Sequence, residues 1–69
     1  MPLTFAEIGM EHSIKKVGGK EETRKFLESL GFVIGGCVTV ISKISGNLIV
    51  NIKDSRVAID KELANKIIV

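Results

Sequence analysis

Three glycines lie between a helix-like segment and a strand-like segment in the middle of the chain. Residues 27–40 read LESLGFVIGGCVTV, with glycine at positions 31, 35 and 36. The residues before Gly31 recur with helical period, and those after Gly36 are mostly β-branched. Because glycine takes left-handed backbone conformations without strain, the segment has two interpretations. It is a phosphate-binding loop, or it is the corner of a small fold.

The order of the residues favours the corner. A phosphate loop has the pattern G-x-x-x-x-G-K-[ST] between a strand and a helix. Gly19 and Lys20 resemble the end of that pattern, but Ile14 occupies the first glycine position and Glu21 the magnesium-binding position. The later glycines follow a helix, and the dipole at a helix C-terminus repels anions. We therefore expect Gly31 to end the helix with a positive φ and the next two glycines to direct the chain into a strand.

The chain is short and has one cysteine. A domain of 69 residues buries only about 60% of the surface that its unfolded chain exposes. Cys37 has no partner for an internal disulfide, which is typical of a reducing compartment. No apolar run approaches the roughly 20 residues of a membrane helix, and the N-terminus lacks the regions of a signal peptide. The sequence predicts one cytoplasmic domain over residues 1–69.

The periodicity of apolar residues predicts a mainly β fold with two helices. The first helix is expected near residues 20–30, with Thr23, Phe26, Leu27 and Leu30 on one face. A short C-terminal helix is expected near residues 60–66, with Asp60 as its N-cap. Strands are expected at 13–17, 37–44, 48–53, 56–59 and 68–69, and one helical turn within 3–8. Short antiparallel strands with one crossing helix indicate a small, partly open barrel.

Few side chains suit catalysis or metal binding. Glu11 and His12 are adjacent, but one His and one Cys do not supply the four ligands of a zinc site. A solvated His12 is expected, with an intersubunit or adventitious metal ligand as the alternative. Cys37 begins an apolar strand, so a packed thiol is expected rather than a nucleophile. Arg56 is expected to be an ordinary surface residue, with pairing to Asp54 or to a partner carboxylate as the alternatives.

A group of basic residues near the first helix is interpreted as a solvated face. Glu21, Glu22 and Glu28 are interleaved with them, the net charge is only +2, and the chain has no Tyr or Trp to stack on bases. No nucleic-acid partner is therefore expected. The group comprises Lys15, Lys16, Lys20, Arg24 and Lys25.

Several of these segments together resemble one protein family. Residues 24–35, RKFLESLGFVIG, are similar to the R-x-x-L-x-x-L-G-φ-x-P-G signature of the ferrous iron transport protein A (FeoA) family, where φ is apolar. Residues 47–52, 55–59, 62–64 and 67–69 resemble its closing hairpin, helix and tail. There are two departures. Ile34 replaces the usual proline, and the turn at 44–47 is shorter than the family's Ala-Pro-containing loop.

The resemblance implies a five-stranded SH3-like barrel and an accessory role in ferrous iron uptake. The implied partner is the cytoplasmic G-protein domain of a membrane ferrous iron transporter, which would recruit the chain to the inner face of the membrane. No enzymatic activity, cofactor or bound metal is expected, and a homo-oligomer is a further option. The alternative function is a nucleic-acid-binding or metal-repressor-like SH3 module, since the same barrel is similar to the C-terminal domain of metal-dependent repressors.

The corner itself is the predicted protein-contact site. A short corner does not bury three consecutive apolar side chains that face different ways. Phe32 is expected to pack under the helix, which leaves Val33 or Ile34 facing solvent, and Arg24 supplies a charged rim. The candidate contact residues are thus Arg24, Phe32, Val33 and Ile34. The alternative is that Val33 and Ile34 both pack on the end of the barrel.

Overall fold

The computed structural model describes residues 1–69 and has six strands, two α-helices and one 3₁₀ turn. The 3₁₀ turn spans Leu3–Phe5, and the helices are α1 (Glu21–Leu30) and α2 (Lys61–Asn65). The strands are β1 (Glu11–Ser13), β2 (Lys16–Val17), β3 (Cys37–Ile44), β4 (Asn47–Ile52), β5 (Ser55–Asp60) and β6 (Ile67–Ile68). The mainly β prediction with two helices is confirmed.

The strands form two antiparallel sheets. The larger sheet has the order β1-β3-β4-β5, and the smaller one pairs β2 with β6. Where the sequence predicts one strand at residues 13–17, the structure has β1, which begins at Glu11 and ends at Ser13, and β2 at 16–17, so the chain has six strands rather than five. The chain changes sheet at Ile14, whose N–H donates to Gly36 O at 2.8 Å, before the N–H of Lys15 donates to Ile68 O at 2.8 Å.

Two tight hairpins join the long strands. Ser45 and Gly46 both have positive φ, 47° and 83°, as expected of a type I′ turn between β3 and β4. Lys53 has a φ of 55° in the turn between β4 and β5. Buried and more exposed residues alternate along β4, where Leu48, Val50 and Ile52 face the core. The register of β3 against β4 shifts between Val40 and Ser42, which marks a β-bulge.

The helix α1 contacts the core with a narrow stripe. Leu27 is fully buried, and Leu30 is partly buried and packs against the core cluster. Phe26, expected on the same face, is 51% exposed. In a helix, residue 26 lies about 100° from residue 27, and the stripe that contacts the sheet is too narrow to reach it. Phe26 therefore lies at the exposed edge of the face on which the sequence places it.

One continuous apolar core holds the sheets and helices together. It contains no buried polar side chain, and Phe32 is its largest fully buried residue. The two ends of the chain meet over this core, where the N-terminal amino group of Met1 and Val69 O are 2.8 Å apart. The core residues are Leu3, Ala6, Ile14, Val17, Leu27, Phe32, Val38, Val40, Leu48, Val50, Ile52, Ile59, Ala64, Ile67 and Val69.

Candidate protein-contact surface

The corner between α1 and β3 begins with a Schellman motif. Gly31 has a φ of 108°, and its N–H donates to Glu28 O at 2.9 Å. The N–H of Phe32 donates to Leu27 O at 3.0 Å. These two hydrogen bonds satisfy carbonyl groups at the end of the helix and turn the chain inward. The predicted helix end at Gly31 is confirmed.

The rest of the corner is tied to the junction of β1 and β2. The N–H of Gly35, where φ is 87°, donates to Ile14 O at 2.8 Å, and the N–H of Gly36 donates to Val33 O at 2.9 Å. A Cβ on Gly36 would lie 3.1 Å from that same carbonyl oxygen. The N–H groups of all three glycines thus bond to backbone carbonyl groups within the chain, so none is free to bind a phosphate. The corner interpretation is confirmed.

The four predicted contact residues occupy different environments. Phe32 is fully buried, so its side chain does not reach the surface, and it supports the corner from beneath. Val33 is half-buried, whereas Ile34 is 72% exposed. Arg24 is exposed on α1, and the one ion pair of the chain joins Lys25 Nζ to Glu21 Oε1 at 3.3 Å, so Arg24 has no acidic partner. The surface candidates are therefore Val33, Ile34 and Arg24.

Other exposed apolar residues lie outside the predicted site. Phe5, Ile8 and Met10 follow one another along the N-terminal segment and are each more than half exposed. In a 3₁₀ turn, residues three apart point the same way, and Leu3 and Ala6 are both buried. The spacing of Leu3 and Ala6 is the sequence signal that places Phe5 outside.

The candidates for chemistry do not converge on one site. His12 lies opposite the buried Val38 in the register, on the core side of β1, and its Nε2 is buried without a hydrogen-bond partner. The expectation of a solvated His12 is therefore wrong. Cys37 is exposed rather than packed, because inward-facing Val38 follows it and neighbouring side chains of a strand point to opposite faces. The only His and the only Cys thus face opposite sides of the sheet.

Two shallow depressions flank the larger sheet. One is lined by Glu11, Cys37, Thr39, Asn51 and Lys53, and the other mainly by polar residues around the β3–β4 turn. No group of three or more His, Cys, Asp or Glu side chains is arranged to hold a metal ion. Arg56 forms no ion pair with Asp54. Neither helix has the length and apolar character that a membrane crossing requires.

Comparison with known proteins gives a consistent result. The sequence model of the family described as the FeoA domain matches residues 1–69. A Methanocaldococcus jannaschii protein named Fe(2+) transport protein A is 38% identical over 68 residues, which cover 99% of this chain and 83% of that protein.

Solved structures agree on the fold. The crystal structure of an iron uptake regulatory protein (FeoA) has a TM-score of 0.89 at 25% identity, and the match covers 97% of this chain and 91% of that one. A zinc-complexed FeoA of Stenotrophomonas maltophilia, described as an SH3 domain protein, has a TM-score of 0.85 at 22% identity, over 99% and 87% of the two chains. The expected SH3-like barrel is confirmed.

Proposed function

The chain belongs to the FeoA domain family, which acts in ferrous iron transport, and on that premise we propose that it is a non-enzymatic accessory protein of ferrous iron uptake. It acts by contact with the cytoplasmic G-protein domain of a membrane ferrous iron transporter, and it is recruited to the inner face of the membrane by that contact. The exposed free thiol of Cys37 supports a reducing, cytoplasmic location.

The exposure of Ile34 on a fixed turn is the observation that carries the proposal. Its side chain is 72% exposed, while the backbone on both sides is fixed by the hydrogen bonds of the glycine corner. An apolar side chain on a pre-organised turn loses little conformational entropy when a partner covers it. The adjacent Val33 is half-buried and extends the apolar area. The contact is therefore centred on residues 33 and 34.

Arg24 provides a polar edge for this contact. It is exposed, lies about two turns before the end of α1, and has no ion pair within the chain. A guanidinium group binds a carboxylate with two parallel hydrogen bonds. Apolar residues at the centre of a contact with arginine at its rim are a common composition of protein interfaces. The partner surface should accordingly present an apolar depression beside an acidic residue.

A binding measurement with a matched control tests the proposal. The double variant Val33→Ser/Ile34→Ser should weaken binding to the soluble G-protein domain of the transporter at least about tenfold. Phe26→Ser removes an apolar side chain of α1 that is 51% exposed and should leave the affinity unchanged. Circular dichroism verifies that each variant is folded. Unchanged affinity of the folded double variant contradicts the contact site, and no binding by the unmodified chain contradicts the partner.

A further inference from the structure

The strand β5 is an open edge of the larger sheet. It pairs with β4 on one side and has no neighbouring strand on the other. None of the backbone hydrogen bonds outside the helices and strands involves residues 55–60. Arg56, Ala58 and Asp60 are exposed along this edge. An uncovered edge of this kind is a template for pairing with another strand.

The hairpin geometry fixes which backbone groups of β5 are available. The register pairs Ile52 with Ser55 across a two-residue turn, and such a closing pair is hydrogen-bonded. Hydrogen-bonded and non-hydrogen-bonded pairs alternate along an antiparallel ladder. Ser55, Val57 and Ile59 therefore bond to β4, while the N–H and C=O groups of Arg56 and Ala58 point away from the sheet.

The sequence of this edge is complementary to itself. We propose that two copies of the chain form a symmetric dimer in which β5 pairs with β5 of the partner subunit, antiparallel, about a two-fold axis at Ala58. This register places Ala58 opposite the partner's Ala58, and each exchanges its outward N–H and C=O with the other. It also places Arg56 opposite the partner's Asp60 on both sides of the axis.

In this register, the side chains that meet across the two β5 strands are compatible on both faces of the extended sheet. On the outer face, Ala58 lies beside Ile49 of β4, so an apolar row continues through the axis into the second copy. On the core face, half-buried Val57 lies opposite the partner's Ile59. Cross-strand pairs of β-branched residues and of opposite charges both stabilise a sheet.

Other registers lose these matches. A shift by one residue places the outward N–H and C=O groups of Arg56 and Ala58 opposite partner residues whose own N–H and C=O groups already bond to β4. A shift by two residues places Arg56 or Asp60 opposite the partner's Ala58, and an axis at Arg56 brings two guanidinium groups together. Charges at an edge normally prevent pairing, but the order of these two charges favours only the antiparallel register centred on Ala58. This dimer does not depend on the proposed function, because its residues are separate from the corner.

Charge reversal tests the register. Sedimentation between about 10 µM and 1 mM should show a concentration-dependent dimer of the unmodified chain. Arg56→Asp places Asp opposite Asp, and Asp60→Arg places Arg opposite Arg, so each variant alone should dimerise at least about tenfold more weakly. An equal mixture of the two restores both opposite-charge pairs and should dimerise with the original affinity. A monomer throughout, or equal dimerisation of the variants, overturns the proposal.

A second measurement avoids Asp60, because the backbone N–H of Leu63 donates to its Oδ1 at 2.8 Å as part of the α2 cap. Paired residues that exchange both hydrogen bonds have Cα atoms about 5.5 Å apart, which suits a disulfide. Ala58→Cys in a Cys37→Ser background should therefore form a disulfide-linked dimer on mild oxidation. Glu28→Cys in the same background, exposed on α1, should cross-link at least about tenfold more slowly. Equal cross-linking rates overturn the proposal.

Discussion

At the scale of single residues, Gly31 is required both by its backbone conformation and by the space beside it. Its φ of 108° is a backbone conformation that side chains with a Cβ rarely adopt. A Cβ at this position would also lie 3.3 Å from Ile52 Cγ1 of strand β4. The helix end and the close approach of helix to sheet thus both depend on the missing side chain.

Substitution of Gly31 should therefore cost more than substitution of Gly35, which also has a positive φ but has open space around it. Gly31→Ala should lower the free energy of unfolding by about 1–2 kcal/mol, and Gly31→Val by more, because a left-handed residue is strained and the added atoms meet Ile52. Gly35 has a φ of 87°, and a Cβ added there meets nothing within 4 Å. In Gly35→Ala, backbone strain alone should therefore lower the free energy of unfolding. Urea unfolding measures the free energy of unfolding of each variant and so ranks the losses. Equal losses at the two positions would show that the contact with Ile52 costs nothing.

Side-chain environments were less predictable than backbone roles. The role of Gly31 follows from its place after the last helical residue, which is local information. The exposure of Cys37 and the buried Nε2 of His12 depend on which face of each strand meets the core. That choice is set by pairing between β1 and β3, residues more than twenty positions apart. Likewise, the sequence pattern predicts the burial of Phe32, which is observed, but it does not decide which of Val33 and Ile34 faces solvent.

At the scale of elements, the two helices begin differently. Asp60 caps α2 through its side chain. Lys20 is at the N-cap of α1, with an extended backbone suitable for capping, but its side chain accepts no hydrogen bond. No side chain at the N-cap accepts from the first N–H groups of α1, and Glu21 and Glu22 supply favourable negative charge in its first turn.

A capping residue at position 20 should stabilise the chain. Lys20→Asp should raise the free energy of unfolding by about 1 kcal/mol, because its carboxylate accepts a hydrogen bond from an early N–H of the helix. Lys20→Ala removes the same charge without adding an acceptor and is the matched control, so its stability should stay near the original. Thermal unfolding compares the three proteins. A gain by Lys20→Ala equal to that of Lys20→Asp would attribute the effect to the loss of the lysine charge.

Local patterns also explain which elements were predicted well. The bounds of β3 and of α1 follow from a run of β-branched residues and from helical period, and both agree with the structure within one residue. The end of β1 at Ser13 and the separate start of β2 at Lys16 have no local signal. They arise because Ser13 pairs with Cys37, whereas Lys16 pairs with Ile68 from the other end of the chain.

At the scale of the whole molecule, the two ends of the chain close the fold. The N–H of Val69 donates to Met1 O at 2.8 Å, and Val17 pairs with Ile67 in the small sheet. Ile67 is fully buried. A domain of this size has a total stability of only about 3–10 kcal/mol, so no part of the core is dispensable. The short strand β6 is therefore expected to unfold together with the rest of the protein.

Truncation of Ile67 tests this cooperativity. Ile67→Ala should lower the free energy of unfolding by about 2–5 kcal/mol, because it removes buried apolar atoms and leaves a cavity. Ile44→Ala makes the same chemical change at a side chain that is 55% exposed, and should change stability by no more than about 0.5 kcal/mol. Urea unfolding followed by circular dichroism measures both. If Ile67→Ala left the main transition in place and only detached the C-terminus, β6 would be a separate, weakly held segment. We expect a single transition at lower urea concentration, with an unchanged slope of the free energy of unfolding against urea concentration. The reason is that the chain ends and the larger sheet share one core.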